Sequence, residues 1–345
     1  MSEETAAELV ERLTREGLES LRDDVARGRR DTGLKSLDER GAMSEIVRDQ
    51  YTGRYPLELI QNANDAEASE GSSGGQVKFV VTDTALLVAD QGAGFGIDQV
   101  NAICGLARSS KDPRKNIGYK GLGFKSVREI TDRPQIISDG VRFGFDAERL
   151  RRSVEEIAGR LPEGQRLPDY AFPFPLANSD LGDDLQAVED LLSEGFRTVM
   201  RLPFREPDLR QKVAEHVSAV ATSRLLVFLD AAESLEIQGA LIDSEARAIR
   251  EERGDHEYLV LEEAGGIKEY LIFRRQFDVP DRTLVEGLGR AWQDVESVRA
   301  VAAVPLGPDG LPRGGQPEPI YVYFPTEEDT GFSLALHADF QMDLD

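Results

Sequence analysis

Cysteine is almost missing: Cys104 stands alone among 345 residues. No internal disulfide can form, and no cysteine cluster can hold zinc. Histidine is nearly as rare, and His216, His256 and His337 lie too far apart in sequence to form a metal-ligand motif. Long apolar runs are lacking too. The N-terminal MSEETAAELVERL is acidic and amphipathic, neither a signal peptide nor a membrane span, so a soluble, cytoplasmic protein is expected. Positive charge is short, with 41 Lys and Arg against 64 Asp and Glu and a formal net charge of −23. That balance disfavours nonspecific binding of nucleic acid or anionic membrane, and Arg108 to Lys125 is the one strongly basic stretch. An acid-rich, lysine-poor surface suits high salt; it equally suits an ordinary acidic protein from a GC-rich genome.

The length exceeds what one compact core needs, so two domains are expected. Thr5 to Ala26 has helical apolar spacing, and the polar, glycine-containing stretch Arg27 to Gly41 reads as a linker. A helix is predicted over Pro56 to Ala68, then strands Val77 to Thr82 and Ala85 to Ala89 around a tight turn at Asp83-Thr84. A short helix (Ile97 to Leu106), a hairpin around Asp139-Gly140 and a helix over Ala147 to Ala158 follow. Leu161 to Asp184 reads as a long loop or insertion, Thr198 to Leu202 as a strand and Asp208 to Ser223 as a helix. Beyond Leu226 the runs alternate in β fashion: Ser234 to Ile237, Glu257 to Leu261, Tyr270 to Arg274, Val298 to Val304, Ile320 to Phe324 and Phe332 to His337. The expected organisation is an N-terminal helix and linker over 1–45, an α/β (α+β) domain over 46–205, and a linking helix with a partial, mostly β domain over 206–345.

Three segments carry chemistry. In ELIQNANDAE, Glu58, Asn62 and Asp65 share a narrow stripe at about 100° per residue. A solvated polar face would also place them so, but surface helices favour Lys, Glu and Arg over alanines and amides. The amide oxygen of Asn62 can hold a hard cation while the Glu58 carboxylate aligns a water. In LLVADQGAGFG a strand ends on Asp90, and Gly92 and Gly94 let a ligand approach the backbone. The alternative is a tight turn with an acidic residue. In IGYKGLGFKSV, Gly118, Gly121 and Gly123 free backbone N–H groups before a helix start, and Lys120 and Lys125 add charge: an anion site. It misses the Walker A pattern by one residue, Phe124, and no buried strand precedes it, so it is not a P-loop.

E-x-x-x-N-x-x-D on a helix, D-x-G-x-G after a strand and G-x-x-G-x-G, in that order within about seventy residues, resemble the GHKL (Bergerat-fold) ATPases. The strings ELIQNANDAE, DQGAGF, LARSSK and IGYKGLGFKSVREITDRPQI are most similar to the sacsin branch, itself like the heat-shock chaperone. The resemblance covers about residues 45 to 205 and reaches the second domain weakly. It implies a two-layer Bergerat sandwich binding ATP and Mg²⁺. Glu58 would then orient and deprotonate the attacking water, and Asn62 would hold magnesium. Asp90 would take the adenine amine, helped by Asp65 and Thr198, with Gly92 and Gly94 shaping the base pocket. Gly118, Gly121, Leu122, Gly123 and Phe124 would face the phosphates, with Lys111 or Lys125 beside them. The family's Gly-Thr before the last strand reads GFRT here, which weakens the assignment of Thr198.

The implied function is a nucleotide-driven conformational switch within a larger sacsin-like protein, in chaperoning, DNA repair or defence against phage. Downstream domains and a homodimer are its further partners, with no membrane and no nucleic acid through this stretch. A nucleotide-binding interaction module without turnover is the alternative. A histidine kinase is excluded by the absence of histidine before His216 and by GLGFKS in the third loop. The chain stops at HADFQMDLD and reads as cut from a longer protein that supplies a basic residue to the γ-phosphate. Slow hydrolysis is therefore expected, with Arg274, Arg275 and Arg313 as internal candidates.

Overall fold

The computed structural model describes residues 4–50, 53–70, 74–105, 123–239, 241, 243–279, 296–322 and 324–338. The N-terminal part runs α1 (Ala6–Ala26), α2 (Arg30–Gln50), α3 (Tyr55–Glu70), β1 (Gly75–Val81), β2 (Ala85–Asp90), α4 (Ile97–Cys104) and a 3₁₀ segment, Gly123–Glu129. Next come β3 (Gln135–Ser138), β4 (Val141–Gly144), α5 (Ala147–Ala158), β5 (Phe174–Pro175), α6 (Leu185–Ser193), β6 (Thr198–Pro203) and α7 (Leu209–Val220). The remainder is β-rich: β7 (Ala232–Gln238), β8 (Ser244–Arg253), β9 (His256–Glu263), β10 (Gly266–Asp278), β11 (Ser297–Pro305), β12 (Pro319–Val322), β13 (Phe324–Asp329) and β14 (Ala335–Ala338).

The chain is mixed α/β around one large mixed sheet, ordered β13-β12-β14-β11-β10-β9-β8-β7-β1-β2-β6-β3-β4-β5. The expected division near residue 205 is therefore crossed by hydrogen bonds, because β7 runs parallel to β1 from Gly75 to Val80. Most neighbours are antiparallel, and alternation gives each strand two faces. On β2, Leu86 and Val88 join the larger core, with Leu59, Ile60 and Ala63 of α3. Ala85, Leu87 and Ala89 point the other way, onto Val188 and Leu191 of α6. The N-terminal strands are thus covered on both sides. Full burial of Leu59 and Ile60 contributes about 2–3 kcal/mol each before entropy is counted.

A capping box starts α1: Glu8 N–H donates to Thr5 Oγ1 at 3.2 Å, and Thr5 N–H donates to the Glu8 carboxylate at 2.8 Å. The stretch expected to be a linker is instead α2. Leu34 and Leu37 seal a second core with Leu21, Leu150, Val154 and Phe172. Gly41 allows the close approach, since a Cβ there would lie 2.8 Å from Arg166 Cβ and Leu167 N. The presumed loop over 161–184 contains β5 and two 3₁₀ turns, and α6 was not anticipated. Nor was β8, whose SEARAIREER buries only Ala246 and Ala248 fully.

Candidate functional site

α3 packs along β1, β2, α7 and the Gly123–Glu129 segment, so little of it faces water. Asp65 is buried, and Glu58 and Asn62 are half-buried. A freely solvated polar face does not describe this helix. Three further polar residues, Gln61, Asn64 and Glu67, are buried on it, and none carried a role in the sequence reading. Asn64 Oδ1 accepts the N–H groups of Ala231 and Ala232, at 3.0 and 3.1 Å, tying α3 to the start of β7. Glu67 Oε1 accepts Gln91 N–H at 2.8 Å, tying the same helix to the loop after β2.

Asp90 ends β2 on the face of Leu86 and Val88, which is the α3 face. Across the antiparallel ladders it stands opposite Thr198 on β6, and Thr198 stands opposite Ser138 on β3. Directly opposed residues share a face. Asp90, Thr198 and Ser138 therefore form one polar row on the face that Val88, Met200 and Ile136 make apolar one step inward. All three are buried. Asp90 Oδ1 accepts Gly92 N–H at 3.0 Å, and its other oxygen takes no hydrogen bond from the described residues. Burial pushes this carboxyl up to about 7; the Gly92 N–H opposes the rise, and the Glu67 charge adds to it. The Ser138 hydroxyl contacts Thr198 Oγ1 at 3.0 Å, the Arg197 carbonyl at 3.1 Å and Phe95 N–H at 3.0 Å.

The glycines of DQGAGFG have separate reasons. A Cβ on Gly92 would sit 2.5 Å from Ala66 Cβ, so the close approach this glycine permits is of α3 onto the loop. Ala93 N–H then donates to the Ala66 carbonyl at 3.2 Å. Gly94 has φ +75°, and a Cβ there would lie 2.9 Å from Ser138 Oγ. The first two motifs are thus in direct contact.

Of the third motif, Lys111, Gly118, Gly121 and Leu122 lie outside the described residues. Gly123 opens the 3₁₀ segment that packs on α3, and Phe124 is buried edge-on against Tyr170 at 6.0 Å. Lys125 points inward: its Nζ donates to the Gly105 carbonyl at 2.9 Å, at the end of α4. Burial lowers this ammonium to about 8, against the pull of Asp169 and Cys104. Burial likewise pushes the Cys104 thiol up to about 12, with Lys125 opposing. Arg128 pairs with buried Asp169 and lies over the Tyr170 ring, fixing the far end of the segment. Gly53 N–H donates to Glu129 Oε2 at 2.7 Å, joining this end to the start of α3. Ser138 and Asp169 carry no local motif; only strand register and long-range packing bring them to the site.

The arginines expected as internal candidates lie on β10 and between β11 and β12. Arg274 pairs with Asp230 at 2.8 Å and Glu257 at 3.6 Å, Arg275 lies 3.9 Å from Asp255, and Arg313 is exposed. Among the described residues no three His, Cys, Asp or Glu converge into a metal cage. No described helix is long and apolar enough to cross a membrane.

No model of a known protein family matches the chain. It is similar to Protein NO VEIN of Arabidopsis thaliana, 28% identical over 202 residues, and the alignment covers 55% of this chain but 7% of that much longer protein.

Proposed function

We propose that this chain binds ATP with Mg²⁺ in a Bergerat-type pocket and hydrolyses it slowly, serving as a nucleotide-driven switch in a larger sacsin-like protein. One observation carries the reading: Asp90 is buried at a strand end with a carboxyl oxygen that nothing in the described chain bonds, beside Thr198 and against α3. A carboxyl oxygen that makes no hydrogen bond within the described chain is open to a donor, and an exocyclic amine would supply one. The helical layer over β2, β6 and β3 fits the sandwich that the family resemblance implies.

On this reading Asp90 accepts the base amine while Thr198 and Asp65 complete the polar end of the pocket. Gly123 and Phe124 present N–H groups on the phosphate side. Magnesium, held by phosphate oxygens and the Asn62 amide, would offset phosphate charge, as befits an ion that keeps few protein ligands. Glu58, one helical turn before Asn62 on the same stripe, orients a water and takes its proton. Titration calorimetry with and without Mg²⁺, alongside phosphate release, tests this. Glu58→Ala should keep ATP affinity within a few-fold and lower turnover by roughly 10²- to 10⁴-fold. Turnover that is absent from the unsubstituted chain despite ATP binding would instead support the non-hydrolysing module. Absence of binding would overturn both.

A further inference from the structure

The hydrogen count around Ser138 fixes the polarity of the base pocket. A hydroxyl has one hydrogen and two lone pairs. Ser138 Oγ has three partners: the Arg197 carbonyl, which can only accept, Phe95 N–H, which can only donate, and the Thr198 hydroxyl, which can do either. One assignment uses all three contacts. Ser138 donates to Arg197 O, accepts from Phe95 N–H, and accepts from Thr198 O–H. The Thr198 hydrogen is thereby spent inside the protein, which leaves Thr198 only lone pairs for any further partner.

We infer that Ser138 is a specificity-determining residue of this site: by holding the Thr198 hydrogen it makes Thr198 an acceptor next to the Asp90 carboxylate, so the pocket selects a 6-amino purine and rejects a 6-oxo purine. The inference rests on the nucleotide reading above. Two acceptors side by side suit a group that brings hydrogens, as the 6-amino group of adenine does. They repel the carbonyl oxygen that a 6-oxo purine places there. If the Thr198 hydrogen were free, rotation about χ1 and the C–O bond would let the same hydroxyl donate to that oxygen. Ser138 sits at the end of β3, opposite Thr198, and the Thr198 hydroxyl bonds Ser138 and not the Asp90 carboxyl on its other side. Gly94 is part of the device, because any side chain there would crowd Ser138 Oγ.

ATP and ITP are the probes, since their bases differ only at position 6 and the adjoining ring nitrogen. Calorimetry on the full chain with Mg²⁺ should show a preference for ATP. Ser138→Ala should narrow the ATP-to-ITP affinity ratio by roughly tenfold, the worth of one hydrogen bond reversed. The narrowing should come mainly from tighter ITP binding. Ser138→Ala combined with Thr198→Val should lose that gain, because Val keeps the shape of Thr without the hydroxyl. Should Ser138→Ala not fold, as judged by circular dichroism, Ser138→Cys keeps the size with a weak donor and acceptor and should shift the ratio in the same direction. An unchanged ratio in these variants would overturn the inference while leaving nucleotide binding intact. Equal weakening of ATP and ITP would also overturn it, reducing Ser138 to a support for the Gly94–Phe95 turn. Failure of the unsubstituted chain to bind either nucleotide would sink the underlying reading as well, an outcome plainly different from the other two.

Discussion

Between about pH 4 and 7 the folded chain holds a proton on Asp90 that the unfolded chain releases, because burial raises this carboxyl to about 7. A carboxyl raised on folding contributes its full stability below its unfolded value near 4. That contribution is lost as pH rises through 7. Above 7 the fold bears a buried, half-bonded charge. Asp90→Asn keeps an oxygen for the Gly92 N–H and removes the charge, so it should be the more stable form at pH 8, by on the order of 2–4 kcal/mol. Near pH 4 the two should be alike. An amine donor favours the carboxylate, so Mg·ATP affinity should rise about tenfold from pH 6 to pH 8, a slope absent from Asp90→Asn. Urea denaturation at two pH values and calorimetry across the range measure both. A variant less stable at pH 8 would show that Asp90 is held charged by partners stronger than those described. Asp90 was legible in the sequence because strand, carboxylate and glycines follow one another directly. Ser138 was not, because its partners are 43 and 60 residues away and only register brings them together.

At the scale of elements, the first two motifs and the segment from Gly123 onward meet because α3 is clamped at both ends. Glu129 holds Gly53 just before it, and Glu67 holds Gln91 near its other end. Asn64 adds the third tie, its side-chain oxygen serving two buried backbone N–H groups at Ala231 and Ala232. In the sequence it is one amide within QNAND, indistinguishable by type from Asn62, and only burial separates their roles. Replacing Asn64 by Leu keeps most of the volume but orphans two donors. The expected cost is about 2–4 kcal/mol, more than a surface Asn would show. A lower urea midpoint with an unchanged denaturant slope is the measurement, and a loss under 0.5 kcal/mol would mean the two N–H groups find other partners. The same logic explains α2. Over Arg27 to Gly41 the apolar content lies in Leu34 and Leu37, and glycines and charges around them imitate a linker until Leu21 and Phe172 supply the other side of that core. Strand β8 was hidden for a like reason, since alternation between alanine and charge is a weak signal.

Over the whole molecule the sequence suggested two domains, and composition does change near residue 225, yet the sheet runs through. Five consecutive pairs, Gln76 with Ser234 to Val80 with Gln238, join β1 to β7 in parallel. A parallel pair between distant segments has no turn to hold its register, so neighbouring contacts must do so. Asn64 fixes the entry to β7, and Gly239 fixes its exit. With φ +69° and a would-be Cβ only 2.3 Å from the Val81 carbonyl oxygen, Gly239 is the residue that lets the two strands end side by side. The larger core also continues across the junction, from Phe79 on β1 through Ile237 on β7 to Leu259 on β9. Separating the two parts would expose both this core and the ladder, so neither should unfold alone. Far-ultraviolet circular dichroism and backbone hydrogen exchange in β2 and β9 should report one shared transition in urea. Gly239→Ala brings a strained φ and a clash with backbone, and should lower the shared midpoint by the equivalent of about 2 kcal/mol or more. If β2 stayed protected at urea concentrations where β9 had exchanged, the parallel pair would be a contact between two independent domains, and the cooperative account of this sheet would fail.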